Sequence, residues 1–199
     1  MTIMKRVVIV LAALLVPSIV AAQDTPKIGL TMAAPAAIGI LWQVTGNVAL
    51  RPEVTWTHTA SESSQVDLGG GAPVTSDDSN GVGVALGALL YVGGRDQFRA
   101  YVVPRFSYTR SNMSAAVDNN SILGPTTSDS SSSAYQTSGA IGGQYTFGRH
   151  FGVFGEAGLA YTRTNTTSST TFLITQTTGS TSRANTSSTR AAVGAIIYF

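Results

Sequence analysis

Five ionisable residues stand in stretches that are otherwise apolar or small: Arg51, Glu53, Arg99, Arg105 and Glu156. Glu53 and Arg105 are 52 residues apart and Arg105 and Glu156 are 51 apart, in Pro52-Glu53-Val54, Pro104-Arg105-Phe106 and Gly155-Glu156-Ala157. A recurrence of that kind suggests equal structural units, with the three residues at matching height on one face. Charges sealed inside a protein must pair, because an unpaired ion out of water is costly. Glu53, Arg105 and Glu156, with Arg51 and Arg99 nearby, therefore predict a buried ionic network.

A second group holds His58, Ser61, Glu62, Ser63, Asp77 and Asp78. These are the residue types of a nucleophile, its base and an orienting acid, for acyl transfer or hydrolysis. The serines belong to a Ser-rich segment in which no nucleophile stands out, so the weightier reading of His58 is an interfacial polar residue. His150 has no carboxylate close in sequence and the chain has no Cys. No structural metal site, disulfide framework or cofactor is expected. The Gly-rich segments lack the strand–loop–helix setting of a phosphate loop.

The elements that must position these residues alternate with a period of two. From the C-terminus backwards, Phe199, Ile197, Ala195, Val193 and Ala191 form one apolar row, against Tyr198, Ile196, Gly194, Ala192 and Arg190. Successive strand residues point to opposite faces, and a tilted membrane-spanning strand needs about 9–11 of them. The same alternation predicts strands over 27–32, 37–43, 48–60, 81–93, 98–110, 136–147 and 151–163, making eight with 189–199. Arg51, Glu53, Arg99, Arg105, Glu156 and Arg190 all fall on the less apolar row.

The connections fall into two sets. Those at 45–47, 94–97 and 148–150 are short; those at 61–80, 111–133 and 164–188 are long, polar and rich in Gly, Ser and Thr. A soluble sandwich has no reason to gather its long loops at one end. The connection at 33–36 is short where the pattern wants a long one, which sets the first hairpin apart from the others. Aromatic residues gather at two levels: Trp42, Phe98, Tyr145, Phe147, Phe151 and Phe199 near the short turns, and Trp56, Tyr108 and Tyr161 near the long loops.

The N-terminus sets the compartment. Lys5-Arg6 is basic, 7–16 is apolar, Pro17-Ser18 breaks the run, and Val20-Ala21-Ala22 is a small-residue cleavage site. This reads as a secretory signal peptide over residues 1–22, with one domain over 23–199. The leader holds two of the twelve Lys and Arg residues, and the remaining ten balance ten Asp and Glu. The formal charge of the mature chain is then zero, so the calculated basicity argues for no nucleic-acid partner. Charged residues are only 11% of the chain, against about 25% in soluble domains.

With leader, alternating strands, asymmetric connections and terminal Phe199, the chain resembles small bacterial outer-membrane β-barrels of the OmpA/OmpX architecture, within the porin-like outer-membrane barrels. The resemblance implies an all-β, eight-stranded, antiparallel up-and-down transmembrane barrel, monomeric, in the outer membrane. It implies contact with outer-membrane lipid and lipopolysaccharide, and assembly by machinery that reads Phe199. No separate peptidoglycan-binding domain is expected after the barrel. The expected role is structural or surface-interactive and non-enzymatic, with a lumen filled by side chains. A narrow ion-conducting porin, a surface hydrolase or acyltransferase using His58, and a soluble secreted barrel of lipocalin type are the alternatives. Glu62, Asp67, Asp77, Asp78, Asp118 and Asp129 in the long loops suggest lipopolysaccharide contact bridged by divalent cations. The sequence names no ligand.

Overall fold

The computed structural model describes residues 28–199 apart from 36, 65–73, 96, 119–125 and 173–175. The expected signal peptide lies outside the described residues. Eight strands follow in order: β1 (Ile28–Ala34), β2 (Ala37–Thr45), β3 (Val48–Ser64), β4 (Val74–Arg95), β5 (Phe98–Asp118), β6 (Thr126–Phe147), β7 (Phe151–Phe172) and β8 (Gln176–Tyr198). Each pairs antiparallel with its neighbour in sequence, and β1 pairs with β8 to close the barrel.

The alternation sorts the side chains as the two rows require. On β4, Val82, Val84, Leu86, Leu90 and Val92 are exposed, while Ala85, Leu89 and Tyr91 are buried. On β5, Phe98, Val102 and Phe106 face out and Tyr101 and Val103 face in. The exposed apolar positions form a belt around the barrel, far larger than a soluble surface tolerates. Trp42, Phe98, Tyr145, Phe147, Phe151 and Phe199 rim the belt at the short-turn end, all exposed. Trp56 and Tyr161 rim the other end with Tyr135, whose ring lies 5.0 Å from that of Tyr108.

Three of the expected loops are mostly strand. Most of 61–80 extends β3 and β4, most of 111–133 extends β5 and β6, and most of 164–188 extends β7 and β8. The pairing there is continuous, from Asn112↔Ser131 to Ala116↔Thr127 and from Thr162↔Thr186 to Phe172↔Gln176. Hydroxyls bridge neighbouring strands: Ser130 to Ser168 at 3.2 Å, Thr166 to Ser132 at 3.3 Å, and Ser128 to Thr170 at 3.4 Å. Thr suits a strand through its β-branch, and cross-strand hydroxyl pairs add support. A 22-residue strand such as β6 is about 70 Å long and, tilted by about 40°, rises about 55 Å against an apolar band of about 25 Å. Half of each long strand therefore stands beyond the belt, wetted on both faces, where no apolar row is needed.

The first hairpin is real and short, with β1 of 7 residues and β2 of 9. Its top lies at Ala34↔Val193 on one side and Ala37↔Thr55 on the other, one residue below the girdle residue Trp56. Above that level β3 pairs only with β4, and β8 pairs only with β7, among the described residues. The wall is closed through the belt, and above it becomes a curved six-stranded sheet with a gap between β3 and β8.

Spin labels stepped along residues 98–109 should show oxygen accessibility peaking at Val102, Pro104 and Phe106 and falling at Tyr101, Val103 and Arg105. Amides of 128–133 and 164–169 should exchange slowly, in minutes or longer; exchange at free-peptide rates would return those segments to loops.

Candidate functional site

The lumen is filled at two levels. At the short-turn end, Leu41, Ala49, Leu89, Tyr91, Tyr101, Val103, Phe154, Ile196 and Tyr198 pack into one buried cluster. The Tyr91 and Tyr101 rings meet edge-on at 5.7 Å. Tyr91 donates its hydroxyl to Gln144 Oε1 at 3.1 Å, and Gln144 donates Nε2 to the Tyr198 hydroxyl. The plug is therefore aromatic with its polar tips satisfied, as buried Tyr requires.

Above it lies the ionic level. Arg51 is the hub: its Nε is 3.0 Å from Glu53 Oε1 and its Nη2 is 2.6 Å from Glu156 Oε1. Arg105 Nη2 is 2.5 Å from Glu53 Oε2, and Arg190 Nη1 is 3.0 Å from Glu156 Oε2. Each carboxylate oxygen of the two glutamates thus has a guanidinium, in the order Arg105–Glu53–Arg51–Glu156–Arg190. The Tyr101 hydroxyl also donates to Glu156 Oε1 at 3.0 Å, and the Arg51 guanidinium lies 4.8 Å from the Phe154 ring centre. Arg51 is 1% exposed, Glu53 4% and Glu156 5%. The pairing is imperfect in angle. Arg51 Nε and Nη2 and Glu53 Oε2 sit at ion-pair distance without hydrogen-bond alignment, and Arg51 Nη1, Arg105 Nε and Ser138 Oγ are buried with no hydrogen-bond partner among the described residues.

Small residues on the even strands make this reach possible. Gly87 on β4 pairs with both Arg51 and Arg105. Gly142 on β6 pairs with both Tyr101 and Glu156. A Cβ on Gly142 would fall 2.6 Å from the Tyr101 ring, and one on Gly194 would fall 2.5 Å from the Phe154 ring. Long side chains on β3, β5 and β7 cross the lumen over Gly87 and Gly142, and Arg190 joins them from β8.

The residues singled out from sequence separate in space. Arg51, Glu53, Arg105 and Glu156 come together, with Arg51 rather than equal height joining the two glutamates. Arg99 lies apart at the short-turn end, its guanidinium 3.6 Å from the Tyr91 ring centre and bonded to the Gly46 carbonyl. Arg190 takes the place in the cluster that Arg99 does not. Its signal was membership of the inward row, but only the register of β8 on β7, with Gly158↔Arg190 beside Glu156↔Ala192, brings it to Glu156.

His58 is exposed on the outer face. Its Nδ1 is 2.7 Å from Asn80 Oδ1 and 3.9 Å from Asp78 Oδ1, and Asn80 donates to Asp78 at 2.7 Å. Ser61 and Ser63 are an odd number of residues from His58 on the same strand, so they point to the opposite face. They cannot serve as its nucleophile. His150 Nδ1 lies 3.2 Å from the Tyr198 carbonyl.

Arg51→Met leaves Glu53 with Arg105 and Glu156 with Arg190 but removes the hub. Urea unfolding in detergent should show a loss of about 3–5 kcal/mol, the cost of breaking a buried pair. Arg99→Met, which removes a partly exposed stacking contact, should cost about 1 kcal/mol.

No protein-family model matches the chain, and no curated protein matches it in sequence. Solved structures do. A major outer-membrane protein of Thermus thermophilus is 14% identical over 88% of this chain and 100% of that one, with a TM-score of 0.58. CarO of Acinetobacter baumannii is 13% identical over 90% of this chain and 100% of its own, with a TM-score of 0.41. The closed ring of eight strands, its apolar belt and the first of these likenesses give one fold, that of the bacterial outer-membrane β-barrels.

Proposed function

We propose that this chain is an integral outer-membrane barrel with a sealed lumen, whose work is done by the strand extensions outside the membrane. The observation that carries the reading is the filled interior, an aromatic plug beneath a layer of five interlocked charges. An eight-stranded barrel has an interior just wide enough for its own side chains. The six-stranded extension, by contrast, presents a tall polar surface rich in Ser and Thr.

Contact with lipopolysaccharide belongs to this proposal. Glu62, Asp78 and Asp129 lie on the outer face of the extension, while Asp77 takes the alternate, half-buried row. Asp67 lies outside the described residues, as does the side chain of Asp118. Among the described residues no group of three or more His, Asp or Glu is arranged to hold a metal ion, so a bridging cation would have to find the rest of its ligands on the lipid. Phe199, exposed at the short-turn end with its amide on the Ile28 carbonyl at 3.1 Å, is open to the assembly machinery. The protein acts as a monomer, because closure leaves the strands in the belt fully paired.

Cell fractionation should place the protein in the outer membrane, with heat-modifiable mobility on gels. Purified into a planar bilayer, it should show no steady conductance steps. Regular steps that Arg51→Ala enlarges would replace the sealed barrel with a narrow pore.

A further inference from the structure

We propose that the lumen cavity on the external side of the ionic level binds a small oxyanion, a phosphate or carboxylate group, on Arg105, Arg190 and Arg51. The cavity has a volume of about 340 Å3, and those three arginines line it together with Glu53, with Gln136 and several Ser and Thr side chains, and with alanines. Charge does not balance at its floor. Three guanidinium groups meet two carboxylates, Glu53 and Glu156, which leaves one positive charge in a nearly buried place. The excess is matched by unused donors: Arg51 Nη1 and Arg105 Nε have no hydrogen-bond partner among the described residues, and the Arg51 side chain is 1% exposed. A buried donor left unmade costs the full desolvation of that group, so an acceptor of negative charge is the ligand this floor favours. A planar guanidinium fork is matched to carboxylate and phosphate oxygens.

Access follows from the short first hairpin. Ala33, Ala34, Pro35 and Ala37 form one side of the cavity, and above them β3 and β8 are not joined among the described residues. The opening stands at the level of Trp56, the outer girdle, so the oxyanion can come from solution or from a lipid headgroup. The inference concerns the lumen and does not rest on the surface role proposed above.

The test uses protein folded in maltoside micelles without phosphorus. Inorganic phosphate is titrated against chloride at matched ionic strength, and in a second arm phosphatidic acid is added against diacylglycerol. Stability to urea is the readout. Once phosphate exceeds its dissociation constant, each further tenfold should lower the unfolded-to-folded ratio about tenfold. Arg190→Gln, which leaves two arginines for two glutamates, should abolish that dependence, and Arg190→Lys should keep part of it. A response to inorganic phosphate assigns a dissolved anion; a response to phosphatidic acid alone assigns a headgroup. If Arg190→Gln does not fold, Arg105→Gln takes its place. No stabilisation of the wild type in either arm, or equal stabilisation of wild type and variant, overturns the proposal.

Discussion

An amide in hydrocarbon has no water to turn to, and each one left unpaired costs several kcal/mol. That constraint governs this molecule from the outside inward. A sheet of eight strands has two edges, and within the belt both are removed by the ladder from Gly29↔Tyr198 to Ala34↔Val193. Beyond the belt the constraint lapses, because water can bond the free groups. There the ladder between β1 and β8 stops, while β8 continues upward for 17 more residues from Ala192 to Gln176. The height at which the ring opens is thus set by the lipid.

The same closure dictates the interior. Arg51, Glu53, Arg105, Glu156 and Arg190 lie on strands that cross the membrane. Turned outward at mid-membrane, an Arg would cost about 2–4 kcal/mol. Turned inward they meet one another at 2.5–3.0 Å. Ion pairs out of water recover their desolvation only with good geometry, and the misaligned donors of Arg51 show that the recovery is partial. The apolar alternative at these positions would fill the lumen as well for stability. What the charges add is a polar floor that an apolar plug cannot provide, facing the external cavity with one positive charge to spare.

The sequence made the transmembrane half of each strand legible because lipid imposes an apolar residue at every second place, as in Val82, Val84, Leu86, Ala88, Leu90 and Val92. It hid the external half, because there both faces are wet and a run such as Ser130 to Ser133 carries no hydrophobic beat. Those residues are strand through hydrogen bonding to a neighbour, not through burial. The cluster was legible in its members and not in its wiring. Strand tilt and register decide which rows meet, so Arg190 reaches Glu156 while Arg99 stays beside Tyr91. Gln144, which ties Tyr91 to Tyr198, stood in an inward row with nothing in its spacing to mark it.

The short first hairpin, out of keeping with the long connections elsewhere, is resolved by the same physics. β1 and β2 need only cross the hydrocarbon, and they end where the girdle begins, with Ala37 opposite Thr55 beside Trp56. Extending them would have finished a tall tube above the membrane and enclosed the cavity over Arg51 and Arg105. Ending them leaves the upper edges of β3 and β8 without a partner strand among the described residues. The edge of β8 there reads Thr177-Thr178-Gly179-Ser180-Thr181-Ser182-Arg183, polar throughout and exposed. Edge-to-edge aggregation is discouraged along this stretch by its polarity and by charges such as Arg183, which leave a second edge no apolar side chains to pack on between Thr177 and Arg183. The long polar strands and the short hairpin are therefore one arrangement: the ring is complete where lipid demands it and open, at low risk, where the lumen meets the outside.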